Sequence, residues 1–280
     1  MKLGLIGFPI GHSLSPWIHG RFLEKSDIAG EYESIQISPE DSFEEELERI
    51  KTEGINGFNV TVPYKTKIVP YLDGLDKNAA AIGAVNTVVY KDGQWIGYNT
   101  DGTGYVAALN SKFPSFSKDK SRKVLIIGAG GASRGIYYAL VAEGFTRIDI
   151  ANRTAESAHA IAAVDREGVQ TDVLTLIEAE NNLGEYDLVI QTTSVGMKPN
   201  VEGKVMSLQS IEEGCIASDI VYQPIQTAFL QEAQAKGAAI HYGHTMLLYQ
   251  AQAAFELWTN KKVPIGNMDQ QLKNILEGRS

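Results

Sequence analysis

Val124-Leu-Ile-Ile-Gly128-Ala-Gly130-Gly131-Ala-Ser133-Arg-Gly135 sets an apolar run directly against a glycine-rich turn and then a helical pattern. A strand, a tight turn and a helix in that order let the backbone approach a pyrophosphate and aim a helix N-terminus at it. Gly128, Ala129, Gly130, Gly131, Ala132 and Ser133 are therefore candidate dinucleotide contacts. Ser133 stands where the usual fingerprint has its third glycine. A glycine-rich turn alone carries little information, but the strand before it and the helix after it favour a dinucleotide over an empty turn.

The end of the next strand decides the cofactor. An enzyme for NAD offers an acid there to the ribose hydroxyls, whereas a 2′-phosphate calls for arginine. The strand runs Ile148-Asp149-Ile150-Ala151 into Asn152-Arg153-Thr154, with Asp149 inside it and no carboxylate at its tip. Arg153 can pair with phosphate. NADP is the expected cofactor, held in part by Asn152, Arg153 and Thr154.

The surrounding pattern places this turn in the second of two domains. Strand-like runs at Lys2 to Phe8, Tyr32 to Ile37 and Gly57 to Val62 alternate with helical patterns opening at Ser15-Pro16 and Ser42, which predicts a mostly parallel sheet. Asn86 to Tyr90 and Trp95 to Tyr98 flank an Asp92-Gly93 pair, a hairpin signal that makes this first sheet mixed. Further strands are expected at Val124 to Ile127, Arg147 to Ala151, Leu188 to Thr192 and Ala217 to Val221, then a long helix from His244 to Trp258. The expected fold is α/β: a mixed-sheet substrate domain (1–103 and 243–280) and a Rossmann-like, doubly wound parallel-sheet domain (104–242), with the C-terminal helix returning to the first.

Polar groups gather where the first domain's strands end, the usual ligand position in open α/β sheets. Ser13 and Ser15 lie beside a helix start and suit a carboxylate, although Ser15 reads equally well as the helix cap. Lys65 follows the strand-ending Pro63, and Asp101 follows Tyr98-Asn-Thr. Oxidising a secondary alcohol requires an acid–base partner for its proton, which a lysine beside a carboxylate can supply.

Read as whole motifs, the chain resembles the shikimate dehydrogenase family. The matching stretches are Gly7-Phe-Pro-Ile-Gly-His-Ser-Leu-Ser-Pro-Trp-Ile-His19, Asn59-Val-Thr-Val-Pro-Tyr-Lys65, Gly83-Ala-Val-Asn-Thr87, Tyr98-Asn-Thr-Asp101, Asn152-Arg-Thr154, Thr193-Ser-Val-Gly-Met197, Asp219-Ile-Val-Tyr-Gln-Pro224 and Gly243-His-Thr-Met-Leu247 with Gln250-Ala251. They keep the family's order from near the N-terminus to the long C-terminal helix. The resemblance implies reversible reduction of 3-dehydroshikimate to shikimate with NADPH, in the pathway to chorismate and the aromatic amino acids. It implies a carboxylate held by Ser13 and Ser15, and ring hydroxyls bound by Thr61, Lys65, Asn86, Asp101 and Gln250, with Lys65 and Asp101 handling the proton. Tyr222, Gly243 and Met246 would line the nicotinamide pocket, Tyr222 also facing substrate, and Thr193, Ser194 and Val221 would add cofactor contacts. The chain departs from the family pattern at Gly20 (usually Asn), Tyr64 (often His) and Ser157 (often a second base for the 2′-phosphate).

Other classes fit less well. A net charge of -9 argues against a nucleic-acid surface. No stretch approaches the roughly 20 apolar residues that span a bilayer. The glycine- and proline-broken start (Gly4, Gly7, Pro9) is no secretory signal, and a lone Cys215 suits a reducing compartment, so a cytoplasmic enzyme is expected. His241-Tyr-Gly-His244 lacks the ligand set of a metal site, so no metal is expected. Thr193-Ser194 lacks the elbow of a hydrolase and no Walker sequence is present. A quinate or NAD-preferring paralogue and a non-catalytic nucleotide sensor are the rivals. A monomer or a homodimer is equally open.

Overall fold

The structure, a computed structural model, describes residues 1–163 and 168–279. Its chain divides into two compact units. One contains residues 1–104 and 248–265, the other 105–247 and 266–279.

In the first unit, β1 (Lys2–Gly7) is buried along all but its first residue, as a central strand covered on both faces must be. It pairs in parallel with β2 (Glu31–Gln36) on one side and β3 (Gly57–Val60) on the other. Two helices make the crossovers, α1 (Ser15–Lys25) and α2 (Phe43–Thr52). Ser42 caps α2 by accepting from the Glu45 N–H. Beyond β3 come a short β4 (Gly74–Leu75), α3 (Lys77–Ile82), capped by Asp76, and the hairpin β5 (Thr87–Lys91) and β6 (Gln94–Tyr98). Asp92 and Gly93, at φ 52° and 81°, give the turn both left-handed residues that a tight hairpin needs. β5 runs antiparallel to β3 and β6, so the six-stranded sheet, ordered β2-β1-β3-β5-β6-β4, is mixed. Phe58, Val60, Val85, Val88 and Trp95 share one core on a face of it.

α4 (Asp101–Lys112) starts in the first unit and continues into the second. There β7 (Lys123–Ile127) alternates its side chains between two cores: Val124 and Ile126 face one, Leu125 and Ile127 the other. Double coverage explains the unbroken apolar run. The series continues through α5 (Gly131–Ala142), β8 (Arg147–Ala151), α6 (Ala155–Ala162), β9 (Val173–Leu174), α7 (Leu176–Asn181), β10 (Leu188–Gln191), β11 (Ile216–Asp219), α8 (Ala228–Ala235) and β12 (Ala239–His241). All six strands are parallel, in the order β12-β11-β10-β7-β8-β9. The order reverses between β7 and β10, which makes their carboxyl ends the switch point where such sheets bind ligands.

The sequence places the strands well and misses β4, β9 and β12, which have two or three residues each. Near the C-terminus, α9 (Gly243–Thr259) starts in the second unit and ends in the first. A further helix, α10 (Met268–Leu276), belongs to the second unit, whereas the sequence reading assigned everything from 243 onward to the first. Asp269 of α10 lies 3.0 Å from His244, and the Lys273 ammonium sits over the Tyr242 ring, 5.2 Å from its centroid. Those contacts tie α10 to the unit in which α9 begins.

Candidate active site

In the first unit, the carboxyl ends of β1 and β3 and the start of α4 bring the predicted polar groups together. Lys65 Nζ lies 2.6 Å from Asp101 Oδ2, with the two side chains 31% and 11% exposed. Asn86, almost fully buried, donates its amide to Asp101 Oδ1 at 2.8 Å and to Thr100 Oγ1 at 3.0 Å. Asn86 Oδ1 accepts the Thr100 N–H at 2.8 Å, and a backbone N–H can only donate, so the orientation of the amide is fixed. Asp101 therefore has a donor at each of its two oxygens. Next to it, Gly104 fits only because it lacks a side chain: a Cβ there would lie 2.4 Å from the Gln250 backbone nitrogen. That approach sets Gln250 of α9 one helical turn from Asp101.

The other end of this site is the turn after β1. The N-cap of α1 is Leu14, Pro16 lies in the first turn, and no side chain caps the helix. Ser15 is already helical, so of the two readings of Ser15 the capping one is corrected. The Ser15 N–H itself bonds to Ser13 Oγ at 3.3 Å. Thr61, partly exposed, bonds through its backbone N–H to the Ile6 carbonyl at 2.9 Å, fixing the strand end from which Lys65 follows. Tyr64 turns away from all of this. Its hydroxyl donates to the Ile37 carbonyl at 2.7 Å and its ring stacks on Phe43. Gly20 lies on the exposed side of α1 with open space around it.

Sequence reasoning did not single out the groups behind Asn86. Asn59 is buried in β3 and donates to the Asn86 carbonyl and to Thr87 Oγ1, both at 3.1 Å; its own Oδ1 accepts from the Tyr32 hydroxyl at 2.8 Å. The available signal was a polar residue inside a strand whose neighbours are all apolar, since a buried amide demands partners.

In the second unit the glycine turn has the expected shape. Gly128 adopts φ +111°, and a Cβ on it would come 2.6 Å from Thr192 Oγ1. Gly130 is the N-cap of α5 with no side-chain cap, and neither it nor Gly131 has a neighbour within 4 Å of a would-be Cβ. The first N–H groups of a twelve-residue helix are thus offered to an anion beside a turn open to close approach, which fits a dinucleotide pyrophosphate. Ser133 is used differently from the other turn residues: fully buried, it donates to the Gly128 carbonyl at 2.7 Å and closes the turn.

Asp149 is committed within the sheet: it accepts from the Tyr186 hydroxyl at 2.8 Å and the Asp172 N–H at 3.0 Å, with Lys123 3.3 Å away. The strand tip is left to Asn152, whose side chain donates to the Thr154 carbonyl, and to Arg153, Thr154 and Ser157, all exposed. At the carboxyl end of β10, Thr193 Oγ1 accepts from the Val195 N–H, and Ser194 is exposed. After β11, Asp219 accepts from Thr227, Gln191 and the Val221 N–H, bracing the Val221-Tyr222 loop. Burial raises its carboxyl to about 7. A Cβ on Gly243 would strike the Ile220 and Val221 carbonyls at 2.5 and 2.6 Å, so Gly243 packs on the segment that leads into Tyr222, and Met246 lies in the core against which Ile220 packs. His241 is occupied by hydroxyls on both nitrogens, Ser218 at 2.8 Å and Thr245 at 3.1 Å.

Family models match along most of the chain: the shikimate dehydrogenase substrate binding domain at residues 5–88, shikimate/quinate 5-dehydrogenase at 110–222, and the shikimate 5′-dehydrogenase C-terminal domain at 243–273. Shikimate dehydrogenase (NADP(+)) of Oceanobacillus iheyensis is 50% identical over 279 residues, covering 100% of this chain and 99% of the relative. A crystal structure of a shikimate dehydrogenase in complex with NADP+ superposes with a TM-score of 0.89 at 34% identity, covering 98% of this chain and 95% of that one. Shikimate 5-dehydrogenase of Thermus thermophilus, solved with NADP(H) and shikimate, gives 0.84 at 32% identity, with 96% and 97% covered.

Proposed function

The chain belongs to the shikimate dehydrogenase family, and on that premise we propose that Lys65 and Asp101 carry out its proton chemistry in the reversible, NADPH-dependent reduction of 3-dehydroshikimate to shikimate. The enzyme is an NADP-dependent oxidoreductase of the aromatic amino acid pathway. The observation that carries the assignment is the 2.6 Å Lys65–Asp101 pair with Asn86 on the far carboxylate oxygen.

Bound NADPH supplies the hydride. The chain's own groups handle charge and protons. A carbonyl oxygen gaining an electron pair needs a proton, and the Lys65 ammonium, steered by Asp101, donates it; in the oxidising direction the lysine amine takes it back. Asp101, Asn86, Thr61 and Gln250 hold the ring hydroxyls. Ser13 and Ser15 hold the carboxylate through hydroxyl donors at the start of α1, where the helix dipole favours an anion.

The turn Gly128 to Ser133 and the start of α5 hold the pyrophosphate, with Thr193 and Ser194 alongside. Asn152, Arg153 and Thr154 hold the 2′-phosphate. Val221, Gly243 and Met246 form the nicotinamide wall, with Tyr222 on the substrate side. In this reading substrate recognition belongs to the first unit, which includes most of α9, and cofactor recognition to the second, which includes α10.

Shikimate and 3-dehydroshikimate are the small-molecule partners; neither nucleic acid nor membrane is needed for this chemistry. A cytoplasmic setting agrees with Cys215, a buried thiol raised by burial to about 12 and so kept from thiolate reactivity. Among the described residues no helix is long and apolar enough to cross a membrane.

The test is absorbance at the reduced-nicotinamide band, with shikimate or quinate against NADP or NAD. Fast reduction with shikimate and NADP alone supports the assignment. Preference for quinate or NAD moves the protein to the paralogous class, and no reduction in any pairing removes the catalytic reading.

A further inference from the structure

A chain of donors runs through the first unit behind the substrate groups, and it has a single sense. The Thr100 N–H fixes Asn86 Oδ1 as an acceptor and turns Asn86 Nδ2 towards Asp101. The same Oδ1 takes the Thr87 hydroxyl proton at 3.0 Å, so Thr87 Oγ1 is left to accept from Asn59 Nδ2. Asn59 Oδ1 then faces outward, and the Tyr32 hydroxyl fills it at 2.8 Å. Each group's direction follows from the one before it, because an amide offers one acceptor face and one donor face.

Tyr32 stands at the head of this chain. Burial holds its acidity far below that of an ordinary phenol, so it remains a neutral donor. Its ring is clamped: it stacks on His19 with centroids 4.4 Å apart and planes 10° apart, and tilts against Trp258 at 6.3 Å. β2, which contributes no group to the predicted site, thus delivers one hydroxyl to the meeting point of α1 and β3.

We propose that Tyr32 is a positioning residue for the reaction: its hydroxyl anchors the outer end of the Asn59–Thr87–Asn86 chain that sets the direction of the Asp101 carboxylate at the ring-hydroxyl end of the substrate. This rests on the roles given above to Lys65 and Asp101. Without the hydroxyl, buried Asn59 Oδ1 loses its 2.8 Å donor. The Asn59 amide then has nothing anchoring its outer end, and any drift lengthens its bonds to the Asn86 carbonyl and Thr87 Oγ1, the contacts that hold Asn86 against Asp101. A buried network left partly satisfied loses its geometry rather than a single bond.

The experiment is steady-state kinetics of Tyr32→Phe, which keeps the ring and its stack on His19. The expected result is a fall in kcat of about ten-fold and a rise of several-fold in the shikimate KM. The NADP KM stays unchanged, and the acidic limb of the kcat–pH profile moves upward by about half a unit or more. Thr87→Val, which cuts the same chain lower down, gives the same signature, and Thr87→Ser, which keeps the hydroxyl, restores it. The double variant Tyr32→Phe with Thr87→Val is little worse than either alone, because both break one chain.

Kinetics and pH profile identical to the unsubstituted enzyme, or a change in melting temperature alone, overturn the positioning role while leaving the proposed function standing. An unsubstituted enzyme that fails to oxidise shikimate overturns that function, and the role of Tyr32 with it.

Discussion

Lys65 Nζ and Asp101 Oδ2 are 2.6 Å apart, and the opposite oxygen of the same carboxylate is fixed at 2.8 Å by Asn86. The carboxylate therefore has no freedom to rotate away from the lysine. Lys65 is held at a strand end where a long, flexible side chain would otherwise sample many rotamers. Removing the ammonium removes the proton donor but none of the dinucleotide turn, which lies in the other unit. Lys65→Ala is expected to lower kcat by about a hundred- to ten-thousand-fold while the dissociation constant for NADP, measured by calorimetry, stays within error. Unchanged turnover would exclude the residue from the mechanism.

Asp101→Asn tests the partner. Asn86 Nδ2 demands an acceptor, so an asparagine at 101 presents its oxygen to Asn86 and its NH2 group to the Lys65 ammonium. Two donors then face each other. The expected result is displacement of the lysine, with kcat reduced about a hundred-fold or more and the shikimate KM raised. Equal kinetics for the variant and the parent would show that Asp101 neither orients Lys65 nor binds substrate.

Arg153 is exposed at the tip of β8 and forms no ion pair among the described residues. Asp149 cannot reach in its place, held as it is by Tyr186, Asp172 and Lys123. A charge-assisted bond to phosphate contributes about 1.5–3 kcal/mol, so Arg153→Ala should raise the NADP KM by about ten- to a hundred-fold and leave the NAD KM nearly unchanged. An equal effect on both would show that Arg153 does not read the 2′-phosphate. Ser157, exposed one turn into α6 beside Glu156, supplies no second cation.

Ser15 does not cap α1, so its hydroxyl can be removed without disturbing the helix end, and the one bond Ser13 gives up there is the long 3.3 Å contact from the Ser15 N–H. A true N-cap would lose about 1 kcal/mol, a shift of about 2–4 °C in a chain of this size class. Ser13→Ala with Ser15→Ala should instead raise the shikimate KM by about ten-fold or more and move the melting temperature by less than about 2 °C. A larger melting shift with unaltered KM would return both serines to a structural role.

Ser15 also shows where sequence reading reaches its limit. Ser before Pro is the common signature of a capped helix, but a cap is defined by backbone angles, and here the αR conformation has already begun at Leu14. The β7 turn was legible because three independent signals coincide: an apolar strand covered on both faces, a glycine forced to φ +111°, and a helix behind it. The Asp92-Gly93 hairpin was legible for the same reason, since few residues accept positive φ. The Lys65–Asp101 pair was legible only through whole motifs, because 36 residues separate the partners. Tyr32, Asn59 and Thr87 escaped because their roles depend on register between strands, which periodicity does not encode. Ser133 was read by its position in the fingerprint, whereas its hydroxyl serves the turn itself.

The last expectation concerns acid stability. Burial lowers both His19 and His241 from 6.5 to about 3. Below pH 6.5 the unfolded chain takes up a proton at each histidine and the folded chain does not, so stability falls as the pH falls, down to about 3. Asp219 works in the opposite sense. Its carboxyl is raised from 3.8 to about 7, so between those values the folded state holds the extra proton and stability grows as the pH falls. Between about pH 5.5 and 6, above the range where the lowered carboxyls of Glu178, Glu185, Glu232, Asp119 and Asp269 add proton uptake in the unfolded chain, two histidines oppose one carboxylate. That leaves a balance of up to about one proton, or about 1.4 kcal/mol lost per pH unit of acidification. His19→Phe keeps the stack on Tyr32 and removes one of the two titrations. Chemical denaturation at several pH values in that window should show the slope of unfolding free energy against pH falling to near zero in the variant, whatever its absolute stability. A slope equal to that of the parent would mean that His19 is protonated in the folded protein, and that the Tyr32–His19 stack is a cation–aromatic contact instead of a neutral one.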